Sequence, residues 1–483
     1  MSNDERRMSN DEVPVNHFDI RNSTFDIRYC FSCVAVRLIF PLKCFSLLFT
    51  PSSAFGGLPG RLLRTSAGEG RASLPPLLFT LLFTLHPSPF TFIALSQVLV
   101  GADRLVADEF MLIDGKRVGL VTNHTGVLSN GNHLADVLHA TPRVTLQALF
   151  GPEHGIRGET EGGLEISHGR DAKTGARVYS LYGKIRKPTS EMLDSVDVLM
   201  FDIQDVGTRF YTYISTMSYA MEAAAGKGIP FIVLDRPNPI RGTWVEGFIR
   251  DDSLRSFVGL HPIPIAHGMT IGELAMLING AGWLKNGIKA DLIVVPMKGW
   301  KREMWYDETG LQWVAPSPNM KTQSTAVVYP GTCLIEGTNL SEGRGTNKPF
   351  EYIGAPYVDG KRWAVALNSY KLPGVKFEPI RFTPENNPQI STKHGGKECG
   401  GVFIHVTDRN AYEPVKTGVF ILVSAKQLFP NEFGWRKASI DRLSGTTLLR
   451  ESVEKRLSAP EIVELWLNRI KKFEPLRGKY LLY

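Results

Sequence analysis

The chain has 483 residues, 43% hydrophobic and 21% charged, a balance that excludes a wholly disordered or fibrous protein and allows two domains with buried cores. Its formal charge of +7 is spread over the whole length without a Lys/Arg-rich run interleaved with aromatics, so nucleic-acid binding is not expected.

Residues 1–96 differ in character from the rest. Residues 1–5 recur as 8–12 and residues 18–21 recur as 25–28, repeats too short and too polar for a coiled coil. Cys30-Phe-Ser-Cys33 has the spacing of a redox or zinc pair, but no second pair follows it, and Cys44 stands alone. Arg61, Arg64 and Arg71 precede an apolar run at 77–85, and Ala94-Leu95-Ser96 follows it, which makes 71–96 a signal-like segment. The run is shorter than the about twenty residues of a membrane span, so no stable membrane insertion is expected. Residues 1–96 are read as a leader, and a periplasmic or secreted protein is expected. A hydrophobic extension on a cytoplasmic protein is the alternative.

Six strand-like runs follow, at 117–121, 144–150, 196–201, 230–234, 263–266 and 292–295. Each is short, apolar and bounded by turn residues, the pattern of a parallel sheet buried on both faces, and the stretch at 213–226 predicts a helix between two of them. Ligands bind such sheets beyond the carboxyl ends of the strands, and here those ends carry polar clusters. The first run gives Thr122-Asn123-His124, the second Gly151-Pro152-Glu153-His154-Gly155, the third Asp202-Ile203-Gln204-Asp205 continuing to Arg209, the fourth Asp235-Arg236-Pro237-Asn238, and the fifth His267. Chemistry repeated at successive strand ends marks an enzyme. After the first strand there is no G-x-G-x-x-G, and no phosphate-binding G-x-x-x-x-G-K-[ST] occurs anywhere, so no nucleotide cofactor is expected. Histidines occur singly, without metal-ligand spacing, so no metal is expected either.

Thr270 and Glu273 form a capping box that opens a helix through Leu277. A Pro-rich break at Pro316-Ser317-Pro318-Asn319 divides 97–316 from 317–483. Beyond it, 336–347 is Gly-rich and carries Glu336, Glu342 and Arg344; 400–406 and 419–423 read as strands, and 460–473 as a helix capped by Ser458 and Glu461. Cys333 and Cys399 are either one disulfide or two buried thiols.

From about residue 97 onward the chain resembles the exo-β-N-acetylmuramidase family known as NamZ, formerly a domain of unknown function of the DUF1343 type. The resemblance rests on the words around Asn123-His124, Phe150-Gly151-Pro152-Glu153-His154-Gly155, 201–213 and 234–239, on Pro316 to Met320, Tyr329 to Cys333 and 336–346, and on the terminal Tyr480-Leu481-Leu482-Tyr483. It implies an α/β fold with a Rossmann-like, mostly parallel sheet domain, a smaller mixed α/β domain and a cleft between them. It also implies release of terminal N-acetylmuramic acid from the non-reducing end of peptidoglycan-derived glycans. A non-catalytic sugar-binding protein using the same cleft is the alternative.

Glycoside hydrolysis needs a proton donor for the leaving oxygen and commonly a second carboxylate. Glu153, between glycines at a strand end, is the expected acid; the adjacent His154 would orient it, and Asp202 or Asp205 would face it, unless the sugar's acetamido group is the nucleophile. A lactyl carboxylate calls for an arginine fork, for which Arg209 and Arg157 come first, then Arg236 and Arg344. Tyr211 and Tyr213 offer aromatic faces, while Asn123, His124, Gln204 and Asn238 offer uncharged hydrogen-bonding groups for sugar hydroxyls. His267 and Glu336 complete the expected substrate set.

Overall fold

A computed structural model describes residues 97–158, 169–387 and 392–483. The expected leader, its repeats, its signal-like segment and Cys30, Cys33 and Cys44 lie outside the described residues. One sheet is built from β1 (Arg117–Thr122), β2 (Thr145–Gly151), β3 (Gly169–Arg170), β4 (Arg177–Ser180), β5 (Val198–Asp202), β6 (Phe231–Leu234) and β7 (Leu292–Val295), in the order β3-β4-β2-β1-β5-β6-β7. Every neighbouring pair is parallel except the short β3 against β4. Without β3, the order is that of a doubly wound Rossmann sheet, with its switch point between β1 and β5.

The strands read as continuous apolar runs because successive side chains enter two different cores. Val121, Phe201 and Val233 pack on one face with Met217, Met221 and Leu274, whereas Leu120, Met200 and Ile232 pack on the other with Leu105, Leu134 and Leu138. The helix Tyr213–Lys227 covers the first of these faces and ends at Gly228, whose φ of 72° provides a left-handed cap. The helix Ile271–Gly280 starts at Thr270 with the expected capping box to Glu273.

Residues 263–266 are not a strand. The sheet position beside β6 is taken by β7, and Ala266 makes only isolated bridges to Thr208 and Glu246.

The smaller sheet is antiparallel, with β8 (Tyr352–Ala355), β9 (Val375–Phe382) and β10 (Cys399–Val406) in the order β8-β10-β9. Residues 419–423 are helical, inside Pro414–Leu428, and fully or almost fully buried. A short apolar run has the same composition in a buried helix as in a strand, and here Pro414 at the first turn favours the helix. That helix crosses Gln323–Thr332 backbone to backbone: a Cβ on Gly418 would stand 2.5 Å from the Gly331 carbonyl oxygen, so only glycine fits. Cys333 and Cys399 are buried free thiols.

The two sheet regions share packing. The second core contains Val206, Phe210, Phe248 and Ile265 from the first sheet's loops, and Phe473 of the C-terminal helix Ala459–Gly478 enters the first domain's core. This interlock fixes the loops that follow β5 and β6 against the smaller domain.

Candidate active site

The GPEHG corner leaves β2 at the carboxyl edge of the sheet. The Gly155 amide donates to the Pro152 carbonyl at 3.1 Å, closing the turn, and both His154 and Gly155 have φ of 75°. A positive φ is uncommon for histidine, and it turns the chain so that half-buried Glu153 and buried His154 both line a cavity of about 450 Å³. Glu153 makes no hydrogen bond or ion pair with any described residue.

The adjoining wall is Phe210 to Tyr213. This stretch is held from behind by Arg209, which donates to the carbonyls of Phe248, Ile263 and Leu443 at 2.5, 2.9 and 2.7 Å. Burial lowers the Arg209 guanidinium to about 9, with Arg250 and Arg469 adding to the effect. The Tyr213 hydroxyl accepts from Asn123 Nδ2 and donates to the Pro316 carbonyl, both at 2.8 Å. Tyr211 meets Tyr213 edge-on, with ring centroids 5.0 Å apart, and meets Tyr329 at 6.0 Å. Its buried hydroxyl has no hydrogen-bond partner among the described residues. Burial raises both tyrosine hydroxyls above their usual range, and the charge of Glu153 raises them further, so they stay protonated donors.

The opposite wall comes from the Gly-rich segment of the smaller domain. Arg344 Nη2 is 2.6 Å from Glu336 Oε1, its Nε is 3.3 Å from Glu342 Oε1, and its guanidinium lies over the Phe350 ring at 5.2 Å. Burial alone would lower this arginine, but the carboxylates of Glu336 and Glu342 raise it, so it remains a cation. Lys393 Nζ sits 2.9 Å from Glu342 Oε2 and also donates to the Ile335 and Leu340 carbonyls. Arg436 and Ser439 close the rim, and the Arg436 guanidinium has no ion-pair partner among the described residues.

The cavity therefore brings together Glu153, His154, Tyr211, Tyr213, Glu336 and Arg344 from the residues expected on sequence grounds. The others do not line it. Asp202 does not face Glu153, because β1 lies between β2 and β5 and both carboxylate oxygens are bound by Arg236, at 2.6 and 2.9 Å. Arg236 is thereby unavailable as a substrate clamp. Arg157 forks onto Asp171 at 2.9 and 2.8 Å and also reaches Asp136. Arg209 is the buried anchor described above.

Asp205 is buried and accepts from the Gly207 amide at 2.8 Å; burial pushes its carboxyl up to about 7. His267 accepts from the Met269 amide and is held neutral by burial, which takes it down to about 3. Gln204 donates to the Asp205 and Pro237 carbonyls, Asn238 spans the Met269 carbonyl and the Ile240 amide, and His124 Nε2 meets the Ala315 carbonyl. Asn123 supports Tyr213. These polar groups hold the strand-end loops in shape from beneath the cavity.

Tyr329, Lys393 and Arg436 are absent from the sequence expectation, and Glu342 enters it only as part of the Gly-rich segment, without a role of its own. Glu342 shares the Gly-rich run with Glu336 and Arg344, a signal that was available. Lys393 and Arg436 have no local motif and arrive through tertiary packing. Among the described residues no group of three or more His, Cys, Asp or Glu is arranged to hold a metal ion.

Comparison with known proteins agrees with this architecture. Models of the N-terminal and C-terminal parts of the exo-β-N-acetylmuramidase NamZ match residues 118–324 and 327–483. The peptidoglycan β-N-acetylmuramidase NamZ of Bacillus subtilis strain 168 is 50% identical over 388 residues, covering 80% of this chain and 92% of the relative. Two crystal structures of DUF1343 family proteins from Bacteroides fragilis NCTC 9343 superpose with TM-scores of 0.74 and 0.68, at 39% and 35% identity, each covering 80% of this chain and 99% of the other. The chain belongs to the NamZ family of exo-β-N-acetylmuramidases.

Proposed function

We propose that the protein is an exo-acting glycoside hydrolase that releases terminal N-acetylmuramic acid from the non-reducing end of peptidoglycan fragments. The observation that carries the mechanism is Glu153: a half-buried carboxyl without a hydrogen-bond or ion-pair partner among the described residues, in a cavity also lined by the ion-paired Glu336 and Arg344. Glu153 gives its proton to the glycosidic oxygen as the bond from the anomeric carbon to that oxygen breaks. Glu336, 27% exposed where Glu342 is 3%, supplies the second carboxylate toward the electron-poor anomeric centre; water adds its oxygen to that carbon and gives its proton to a carboxylate of the cavity.

Both buried tyrosines keep their protons; that of Tyr213 is committed to the Pro316 carbonyl, so Tyr211, whose hydroxyl has no hydrogen-bond partner among the described residues, is the one that donates to a sugar oxygen. Recognition of the lactyl carboxylate falls to Arg436, whose guanidinium has no ion-pair partner among the described residues, whereas Arg344 is held by Glu336 and Glu342. Action on cell-wall material outside the cytoplasm is part of the same reading, supported by the signal-like segment at 71–96. Cell fractionation that finds the protein confined to the cytoplasm would overturn that part alone.

The deciding experiment is incubation with a chromogenic N-acetylmuramide beside the matching N-acetylglucosaminide. Release from the first and not the second is expected, whereas no release from either would sink the proposal. A Glu336→Gln enzyme with undiminished rate would hand the second role to the sugar's own acetamido group.

A further inference from the structure

An exo-acting glycosidase needs room for two things, the sugar it releases and the glycan it leaves behind, and the catalytic cavity opens beside a second one. That second cavity, of about 570 Å³, shares Asn319 with the first. The shared wall continues along the chain, from Ser317 and Met320 to Pro318 and Lys321, from Arg344 to Gly345, Thr346 and Asn347, and from Phe350 to Tyr352.

We infer that this second cavity is the subsite for the departing sugar, a neutral N-acetylated hexosamine, on the leaving-group side of the scissile bond. This rests on the glycosidase reading above. Its volume is in the range of small-molecule clefts, about 300–1,000 Å³. Its floor is aromatic: half-buried Tyr352 packs against Phe382, with ring centroids 5.7 Å apart, and edge-on to Phe403 at 5.4 Å. A fixed aromatic face of this kind suits the apolar face of a pyranose.

The rim offers uncharged groups that are available. The side chains of Asn319, Asn347 and Thr383 make no hydrogen bond to any described residue, so their donors and acceptors are free for hydroxyl and acetamido groups. Of the charged residues lining it, Lys321 is already bound to the Thr346 carbonyl at 3.1 Å and Glu385 balances it. The catalytic cavity carries far more charge, with Arg344, Lys393 and Arg436 beside Glu153, Glu336 and Glu342. The wall is also rigid, since the Glu385 amide donates to the Gly345 carbonyl at 2.8 Å, and Gly345 has φ of 78°.

The test is an Asn347→Ala, Thr383→Ala double variant assayed on two substrates, the N-acetylmuramyl-N-acetylglucosamine disaccharide and an aryl N-acetylmuramide. Both residues contact solvent, and neither belongs to the catalytic machinery. The expected result is a fall of about tenfold in kcat/KM for the disaccharide with the aryl glycoside unchanged, because an aryl group lacks the hydroxyls those side chains bind. Equal rates on both substrates for wild type and variant would overturn the subsite. So would a loss seen only when the muramyl group bears a peptide, which would give the cavity to the peptide stem. Absence of wild-type hydrolysis of either substrate would overturn the glycosidase reading itself, a distinct failure.

Discussion

Arg236 holds both carboxylate oxygens of Asp202, through Nε at 2.6 Å and Nη2 at 2.9 Å, and the pair is almost wholly buried where the sheet reverses its winding direction. The same Nη2 donates to the Val127 carbonyl at 2.9 Å, so the arginine ties the end of β5 to the loop after β1. The pair occupies the crevice position that, in a dinucleotide-binding sheet, is open to ligand. Here the open cavity lies instead at the GPEHG corner and the Gly-rich segment of the second domain.

Breaking that pair leaves a buried guanidinium without its counter-charge. Asp202→Asn is therefore expected to destabilise the fold by about 3–5 kcal/mol, read as a lower urea midpoint at unchanged slope. Turnover by the fraction that remains folded should stay near wild type. A stable Asp202→Asn protein with no turnover would return Asp202 to a chemical role.

Glu153→Gln is the converse case. The Glu153 carboxyl has no partner among the described residues, so the amide removes a proton donor and no structural contact. The expected loss is about 10²–10⁴-fold in kcat on an N-acetylmuramide with a poor leaving group, at a melting temperature equal to wild type. An activated aryl leaving group needs less protonation, so the loss on such a substrate should be smaller. Equal losses on both would argue against a general acid.

The end of the chain belongs to the first domain's packing. The Tyr483 hydroxyl donates to Asp235 Oδ2 at 2.7 Å and accepts from the Met297 amide at 2.8 Å, and its ring meets Trp300 edge-on at 5.1 Å. Tyr483→Phe leaves a buried carboxylate and a buried amide each short of one bond. The expected cost is about 1–3 kcal/mol, measured by chemical denaturation. A cost near zero would mean that the tail is dispensable.

What the sequence disclosed follows from where the information lies. Strands buried on both faces leave unbroken apolar runs, so five of the strands and the helix after β5 were visible, and Glu153 stood out because glycines flank it at a strand end. The run at 419–423 was misread because burial on all sides erases the helical period, and the backbone crossing at Gly331 and Gly418 that makes it a helix is a tertiary fact. Sorting the arginines was beyond local reading for the same reason. Arg157 and Arg209 follow strand ends just as a substrate clamp would, but Asp171 and the carbonyls of Phe248 and Leu443 reach them only once the chain has folded. Lys393 and Arg436 enter the cavity from segments with no motif at all.

The buried acid beneath the site gives a prediction in pH. Burial pushes the Asp205 carboxyl up to about 7, against the opposing effect of the Gly207 and Val206 amides. In the unfolded chain an aspartate titrates near about 3.9. Between those values the native state keeps a proton that the unfolded state has released, so stability from this group is full at low pH and is lost as pH rises through about 7. Asp205→Asn cannot titrate and keeps an oxygen for the Gly207 amide. Glu246 and Asp235, also pushed up by burial, to about 7 and about 6, give the same slope in both proteins, whereas His267, lowered by burial to about 3, gives the opposite slope and has its Nε2 3.9 Å from Asp205 Oδ2. The difference between the two proteins therefore reads Asp205 together with the His267 ring beside it. The wild-type melting temperature should fall more steeply than that of Asp205→Asn between about pH 5 and pH 8, with the curves converging at acid pH. Parallel curves across that window would mean that Asp205 carries its charge in the folded protein, and that a partner for it has to be sought beside His267.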